Sequence, residues 1–309
     1  VVDISVIIVS WNVGDLLRDC LNSLYASVLG GRSVEVIVVD SASTDDTVAI
    51  TQREFPQVIV LPQTENLGYT RCNNIGLKIA TGRHVLLLNP DTLILGDALA
   101  SLSAYLDEQP EVGLVGPHTL NDDHTTQSTR RRFPNRRLAF FESTWLEPFA
   151  PKTWLREYAF ADKDDHATFE VDWMQGSCLM ARREVYDQIG GLDEGFVMFY
   201  EEMDWCKRAK DSGWRVVYVG KAQIVHLGGK STEQASARKF IHYNESKLRY
   251  FSKVYGSFFA SMLRWVLLLG YGWQLMVEWF KGRLGHKPEL RHQRVEIYRQ
   301  VLKSGLRVR

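Results

Sequence analysis

Asn89-Pro90-Asp91 closes an apolar run, His84-Val-Leu-Leu-Leu88, that has the character of a buried strand. A strand that stops at a carboxylate delivers a fixed negative charge to the edge of a sheet. In open α/β sheets that edge is where ligands bind. A carboxylate held there can carry a hard divalent cation, and the cation can carry a diphosphate. Pro90 fixes one dihedral and removes a donor, so the ladder cannot continue through it. Taken alone, the same tripeptide is also ordinary turn chemistry. Asp40 ends a second apolar run, Val34 to Val39, and opens Asp40-Ser41-Ala42-Ser43-Thr44-Asp45. A carboxylate in that position can accept hydrogen bonds from a ribose hydroxyl or a base N–H. Asn66-Leu67-Gly68-Tyr69 and Asn73-Asn74-Ile75-Gly76 enter a helix, with glycines that let backbone approach a ligand closely.

Glu201, Glu202 and Asp204 place three carboxylates in four residues at an expected helix start, where negative charge complements the dipole. Asp204 and Arg208 are four apart and can pair on one face. Glu201 and Glu202 project in different directions, so at least one can face a crevice and act as general base on a hydroxyl. The apolar residues from Phe196 to Tyr200 would limit water access. His226 leaves a strand beside Gly228, Gly229 and Lys230, which favours a meeting with phosphate or metal. Arg130-Arg131-Arg132-Phe133-Pro134-Asn135-Arg136-Arg137 holds five arginines in eight residues. Arginine forks suit phosphate, and Phe140, Phe141 and Trp145 lie nearby in the chain.

These groups need a frame that gathers strand ends. Ile4 to Val9 is a strand, and Leu16, Leu17, Cys20, Leu21 and Leu24 follow at helical spacing. Val34 to Val39 is the second strand. Thr44 is placed to cap the next helix, with Asp45 and Asp46 in its first turn. Val58 to Leu61 is the third strand. A helix over Asn73 to Ala80 is ended by Gly82, and Val85 to Leu88 is the fourth strand. This alternation predicts a mainly parallel sheet with helices on both faces. Periodicity fades from Pro117 to about Asp165, which reads as a loop or lid. Further strands are expected at Phe169 to Trp173, Cys178 to Ala181, Val216 to Val219 and Gln223 to His226. A short helix starts near Glu201. The chain is helical from Thr232 to about Phe280, and a basic helix over Glu289 to Leu302 closes it.

The chain has 309 residues, 45% hydrophobic and 24% charged, with a formal net charge of zero. The total hides an asymmetry. From Lys281 to Arg309, nine Lys or Arg face only Glu289 and Glu296, so the tail is +7 and the rest −7. An anionic partner for the tail follows. With no net charge, no global field draws the chain to nucleic acid, and the net-acidic body makes nucleic acid the less favoured anion for the Arg130–Arg137 run. Phe258 to Phe280 is rich in Leu and Trp but interrupted by Arg264, Gln274 and Glu278. Such a helix fits a membrane interface, with Trp265, Trp273 and Trp279 at headgroup level, better than a span. Packing on the domain or in a homodimer interface is the competing use of the same helix. The four cysteines, Cys20, Cys72, Cys178 and Cys206, form no Cys-x-x-Cys pair, so a reducing cytosol is expected. Val1 to Val9 is too short and lacks the basic leader of a secretory signal.

Taken in order, these patches resemble the glycosyltransferase family 2 enzymes of the GT-A fold. Within that family they look most like rhamnosyltransferases and related bacterial enzymes of cell-surface polysaccharide assembly. The resemblance runs from about Ile4 to Ser231. It implies an α/β, Rossmann-like, mixed but mainly parallel sheet flanked by helices, with a C-terminal helical extension. The glycosyltransferase domain would be 1–232, with a nucleotide-binding half at 1–116 and an acceptor half at 117–232 that carries a lid loop at 117–167. Residues 233–309 would form a basic, membrane-associating helical region.

The resemblance also assigns roles. The Val9-Ser10-Trp11-Asn12 turn packs against the nucleotide, and Asp40 and Ser41 hold its base or ribose. Asn66, Gly68 and Asn73 complete the donor contacts. Asn89-Pro90-Asp91 matches the metal-binding Asp-x-Asp motif, with Asp91 as its last carboxylate. Glu201-Glu202-Met203-Asp204 matches a motif usually read Glu-Asp-x-Asp, and its general base falls on Glu202. His226 matches a residue that reaches metal or diphosphate, which makes Asp91 and His226 the expected ligands of Mg²⁺ or Mn²⁺. Arg130, Arg131, Arg132, Glu201 and Trp173 are expected near acceptor or phosphate. Two departures stand out: Asn89 replaces the first carboxylate of Asp-x-Asp, and Glu202 replaces an Asp.

The implied reaction is inverting, metal-dependent transfer from a nucleotide diphosphate sugar, with rhamnose from dTDP-rhamnose as the donor the resemblance points to. The acceptor would be a lipid-linked glycan or a polysaccharide. The enzyme would be cytoplasmic and peripheral on the anionic inner face of the cell membrane. Two alternatives stay open. A nucleotidyltransferase on a similar sheet would want a basic Gly-rich loop after the first strand, and Ser10-Trp11-Asn12-Val13-Gly14 has no base. An inactive sugar-binding or scaffold relative is the other.

Overall fold

A computed structural model of the chain describes residues 2–142, 144–228 and 236–307. β1 (Ile4–Ser10), α1 (Gly14–Ala26), β2 (Val34–Asp40), α2 (Thr47–Glu54), β3 (Ile59–Pro62), α3 (Gly68–Ile79) and β4 (His84–Leu88) alternate as the periodicity requires. β5 (Thr92–Ile94), α4 (Ala98–Glu108) and β6 (Val112–Leu120) come next. They are followed by β7 (Arg130–Arg131), α5 (Leu138–Phe141), α6 (Lys152–Tyr158), β8 (Thr168–Val171), β9 (Trp173–Met174) and β10 (Cys178–Arg182). α7 (Arg183–Ile189), α8 (Glu201–Asp211) and β11 (Arg215–His226) complete the α/β part. α9 (Ser236–Tyr255), α10 (Ser257–Arg283) and α11 (Pro288–Ser304) end the chain.

Among the described residues nine strands form one sheet, in the order β3-β2-β1-β4-β10-β6-β11-β5, with β8 also on β11. β1 pairs parallel with β2 and β4, β2 with β3, and β6 with β11. β10 runs antiparallel between β4 and β6, and β5 and β8 run antiparallel to β11. Every residue of β1 and β4 is buried, because a central parallel strand is covered on both faces. Val6 and Ile8 join Leu17, Cys20, Leu21 and Leu24 of α1 in the main core. Burying each such Leu or Ile is worth about 1.5–3 kcal/mol. Ile7 points the other way. A Cβ at Gly76 would lie 2.5 Å from Ile7 Cγ2, so only glycine lets α3 settle this close to β1.

The arrangement gathers the carboxyl ends of β1, β2, β4 and β11, together with the amino end of β10, along one edge. The register sets Ser10 beside Asp40, Leu88 beside Cys178, and His226 beside Thr92.

Several expectations are corrected. Val216 to Val219 and Gln223 to His226 are one strand, interrupted by a register shift between Val219 and Gln223. Gly220 lies there, where a Cβ would be 2.4 Å from the His166 carbonyl carbon. β6 runs on to Leu120, because its polar residues His118 and Thr119 are paired with β11 instead of looping out. The rest of the expected loop contains β7, α5 and α6. α3 starts at Gly68, not Asn73, and Ala80 caps it. Gly82 instead packs on Ser5, with a Cβ position 2.6 Å from the Ser5 backbone nitrogen. Thr44 does not cap α2, because its N–H is drawn to Asn12 Oδ1 at 2.7 Å. Asp45 does that work, accepting from the Thr47 N–H at 3.1 Å and hydroxyl at 2.5 Å. The C-terminal helical stretch breaks at Gly256, whose φ of +87° suits glycine. Gly229, Lys230, Ser231 and the expected helix start at Thr232 lie outside the described residues.

The chain divides into two compact units. One comprises Val1–Phe133, Glu157–Glu194 and Glu201–Ser231 and contains the sheet; the other comprises Pro134–Arg156, Gly195–Tyr200 and Thr232–Arg309. The stretch 117–167 is therefore shared between them, and residues 195–200 belong to the helical unit. In that unit Phe140 meets Phe259 edge-on, and the buried Lys247 pairs with Glu142.

Candidate active site

Asp40 is buried at the end of β2 and organises the turns around it. Its Oδ1 accepts from the hydroxyls of Ser10 at 2.8 Å and Ser43 at 2.6 Å, and its Oδ2 accepts from the Ser43 N–H at 2.8 Å. Asn12 sits in the left-handed region, at φ 52°, which Asn tolerates better than most residues. Its N–H donates to Ser43 Oγ at 2.8 Å. The two turns after β1 and β2 are thus tied into one rim, on which Trp11 is half-buried. Ser41 continues the rim toward α3: it accepts from the Leu67 N–H at 3.0 Å and donates to Asn66 Oδ1 at 3.1 Å. Asn66 also accepts from the Gly68 N–H, which sets the entry to α3.

Asp91 follows β4 and is 3% exposed. Its Oδ1 lies 3.3 Å from His226 Nε2, at the end of β11. The other ring nitrogen, Nδ1, is 2.8 Å from Gln127 Oε1. Gln127 is oriented by its own donors, because its Nε2 reaches Asn121 Oδ1 at 3.0 Å and the His226 carbonyl at 3.5 Å. With a carbonyl oxygen facing Nδ1, that nitrogen carries the hydrogen. Nε2 then turns a lone pair toward a carboxylate oxygen, and two such groups at this distance call for a cation between them or a second proton on the ring. An imidazole nitrogen and a carboxylate oxygen are a fitting donor pair for Mn²⁺ or Mg²⁺, which also takes phosphate oxygens and waters. Among the described residues no group of three or more His, Cys, Asp or Glu is placed to hold a metal. An ion held by this pair alone would have further positions open to a ligand. Asn89 is fixed through its backbone, donating to the Ser177 carbonyl at 2.9 Å.

Glu201 and Glu202 open α8. Phe199 and Tyr200, both at φ 68°, turn the chain into the helix at a cost on the order of 1 kcal/mol or more each. One oxygen of each glutamate, Oε2, is buried without a hydrogen-bond partner. Burial pushes the Glu201 carboxyl well up, with the Glu202 charge adding to it. Burial also raises Glu202, opposed by backbone N–H groups including that of Gly176. Asp204 has the structural role its spacing suggested, accepting from Arg208 Nε at 2.8 Å.

Tyr69 was missed as a site residue. Its hydroxyl donates to the Gly176 carbonyl at 3.1 Å, and its phenol is pushed well up by burial and by the charges of Glu201, Glu202 and Asp91. Asn73 supports it, donating to the Tyr69 carbonyl at 3.1 Å. Gln127 was missed as well, because it stands in the aperiodic stretch after β6. The buried Ser177, beside Asn89, also has a hydroxyl without a partner.

The arginine run is held by contacts of its own. Arg130 is 4% exposed, pairs with Asp165, and stacks on Tyr218 at 4.9 Å. Arg131 lies over Tyr158, and Arg132 over Phe160. Trp173 is buried, and its indole N–H donates to the Arg132 carbonyl at 2.9 Å. These residues brace one another.

The family model for Glycosyl transferase family 2 matches residues 5–190. An N-acetylglucosaminyl-diphospho-decaprenol L-rhamnosyltransferase of Mycobacterium tuberculosis is 28% identical over 85% of this chain and 88% of its own. A low-salt glycan biosynthesis hexosyltransferase of Haloferax volcanii is 26% identical over 72% of this chain and 66% of its own. Among solved structures, a mannosyltransferase from Pyrobaculum calidifontis in complex with GDP-Man and Mn²⁺ superposes with a TM-score of 0.56 at 18% identity, over 98% of this chain and 84% of that one.

Proposed function

This chain belongs to glycosyl transferase family 2, with the GT-A fold, and from that premise we propose that it is an inverting, metal-dependent rhamnosyltransferase. The donor is dTDP-rhamnose and the acceptor a lipid-linked glycan or polysaccharide. The observation that carries the reading is the Asp91–His226 pair, oriented by Gln127, on the strand edge that also holds Asp40. The rhamnosyl donor and the lipid-linked acceptor draw support from the name of the mycobacterial relative. The divalent ion draws support from the Mn²⁺ in the mannosyltransferase structure.

The residues divide the work. The 1–116 half takes the nucleotide: Trp11 and the Ser10–Asn12 turn pack on it, and Asp40, Ser41, Asn66, Gly68 and Asn73 shape the rim for base and ribose. Asp91 and His226 would hold Mg²⁺ or Mn²⁺. When bound, that ion supplies Lewis-acid neutralisation of the departing diphosphate. Asn89 lines the same turn as a neutral group. Glu202, with its free Oε2, takes the proton from the acceptor hydroxyl. The hydroxyl oxygen bonds to the anomeric carbon on the face opposite the nucleotide as the bond to the phosphate oxygen breaks. One displacement inverts the configuration and needs one carboxylate at the acceptor side. Glu201 stands next to this base, and burial together with the neighbouring Glu202 charge pushes its carboxyl well up. The acceptor is met from the 117–232 half, with the enzyme peripheral on the cytoplasmic face of the membrane.

The test is direct. The purified chain is given dTDP-rhamnose, an N-acetylglucosaminyl-diphospho-polyprenol and Mn²⁺ or Mg²⁺. Acceptor-dependent release of dTDP with an inverted linkage, read by NMR, is expected. A retained linkage overturns inversion, and release from other nucleotide sugars but not this one overturns the donor.

A further inference from the structure

α10 is apolar on two opposite faces, and only one of them is covered. Phe259, Ala260, Leu263, Leu267 and Gly270 are buried within the helical unit. On the far side Phe258, Met262, Trp265, Leu269, Trp273, Met276 and Phe280 recur every three or four residues, and all are exposed, Phe258 at 85% and Leu269 at 71%. This stripe carries no charge over about 33 Å of helix. A helix apolar all round belongs inside something, and a continuous exposed stripe of this length marks an interaction site.

Charge identifies what covers it. The stripe ends at Lys281 and Arg283, both exposed, with the Arg283 guanidinium 4.7 Å from the Trp279 ring. Beyond them Lys287, Arg294, Arg299, Lys303 and Arg307 are exposed as well, opposed by Glu289 and Glu296. Among the described residues no helix is long and apolar enough to cross a membrane. A long apolar face, three tryptophans and a basic end describe a helix that lies in the plane of an anionic bilayer surface. A second copy packed in parallel would bring like charges together at the end of the stripe.

We infer that the exposed face of α10, from Phe258 to Phe280, is the surface by which this protein seats on anionic lipid. The face sinks into the headgroup boundary, and the basic residues from Lys281 onward meet lipid phosphates. The inference rests on the peripheral placement proposed above and names the surface responsible for it.

The full chain is floated with phosphatidylcholine vesicles, with and without phosphatidylglycerol, at low and high salt. Binding is expected with the anionic vesicles and weakens with salt. The double variant Leu269→Glu/Trp273→Glu, at exposed positions, should lower partition by at least about tenfold with an unchanged circular dichroism spectrum. Brominated lipids should quench tryptophan fluorescence of the unaltered protein. Binding that survives the double variant overturns this face and leaves the peripheral placement standing; failure of the unaltered protein to bind either vesicle overturns both. A dimer in solution that Leu269→Glu splits assigns the face to a second copy and overturns the inference. Transfer to a water-soluble acceptor, measured without vesicles, reports on the active-site reading separately.

Discussion

Asp91 Oδ1 and His226 Nε2 stand 3.3 Å apart, and Gln127, on the far side of the ring, determines which nitrogen keeps its hydrogen. Gln127→Leu removes that acceptor while leaving both proposed metal ligands. Groups that orient a metal-bound histidine typically contribute 10–100-fold in affinity. Mn²⁺ affinity, measured by titration calorimetry with dTDP present, should fall by about that factor while the melting temperature stays unchanged. An unaltered affinity would remove Gln127 from the site, and an unaltered affinity in Asp91→Ala would remove the site itself.

Glu202→Gln keeps the shape and removes the proposed base. Transfer should fall by roughly 10²–10⁴-fold, with dTDP-rhamnose binding preserved in a thermal-shift assay. Turnover near that of the unaltered enzyme would pass the role to Glu201.

The same group sets a pH dependence. Because burial raises the Glu202 carboxyl, it takes up a proton at a higher pH than an ordinary glutamate. Protonated, it cannot act as a base. The rate should therefore fall as pH drops through a midpoint above about 4.3, the usual glutamate value. A rate that holds steady well below that value would contradict the assignment.

Stability has its own titrating group. His84, buried at the start of β4, contacts Ser103 Oγ at 3.0 Å and is pushed down to about 4, mainly by burial. The unfolded chain binds this proton near 6.5 and the folded chain does not, so stability declines as pH falls from about 6.5 to about 4. The loss is up to about 3 kcal/mol. Melting temperatures across this window should fall more steeply for the unaltered protein than for His84→Gln; parallel curves would rule His84 out.

Asp40→Ala would strip three hydrogen bonds from the rim. Each is worth about 0.5–1.5 kcal/mol, so both stability and donor affinity should fall in urea titration and thermal shift. A loss of affinity with stability intact would mean that Asp40 serves the ligand alone.

The sequence carried the sheet because its strands are apolar runs that stop at polar residues. Asp40, Asp91 and His226 were legible for that reason. Gln127 was not, since nothing periodic surrounds it and its partner is ninety-nine positions away. Tyr69 lay within a recognised cluster, but its direction depends on α3 beginning at Gly68. The rings of Tyr158, Phe160 and Tyr218 against the arginine run are long-range contacts that composition does not encode. β11 was read as two strands because Gly220 and Lys221 interrupt its pattern where it bulges.

β10 enters the sheet against the direction of β4 and β6. The reversal sorts electrical character along five residues. Arg182 is carried to the opposite rim, where its guanidinium donates to the carbonyls of Val112 at 2.7 Å and Gln109 at 2.9 Å. The uncharged Gly176–Ser177 peptide arrives beside Asn89 instead. Had the same residues run the other way, a permanent cation would stand next to Asp91 and compete with any mobile one for its oxygens. The polarity of a single strand thus keeps a permanent positive charge away from Asp91.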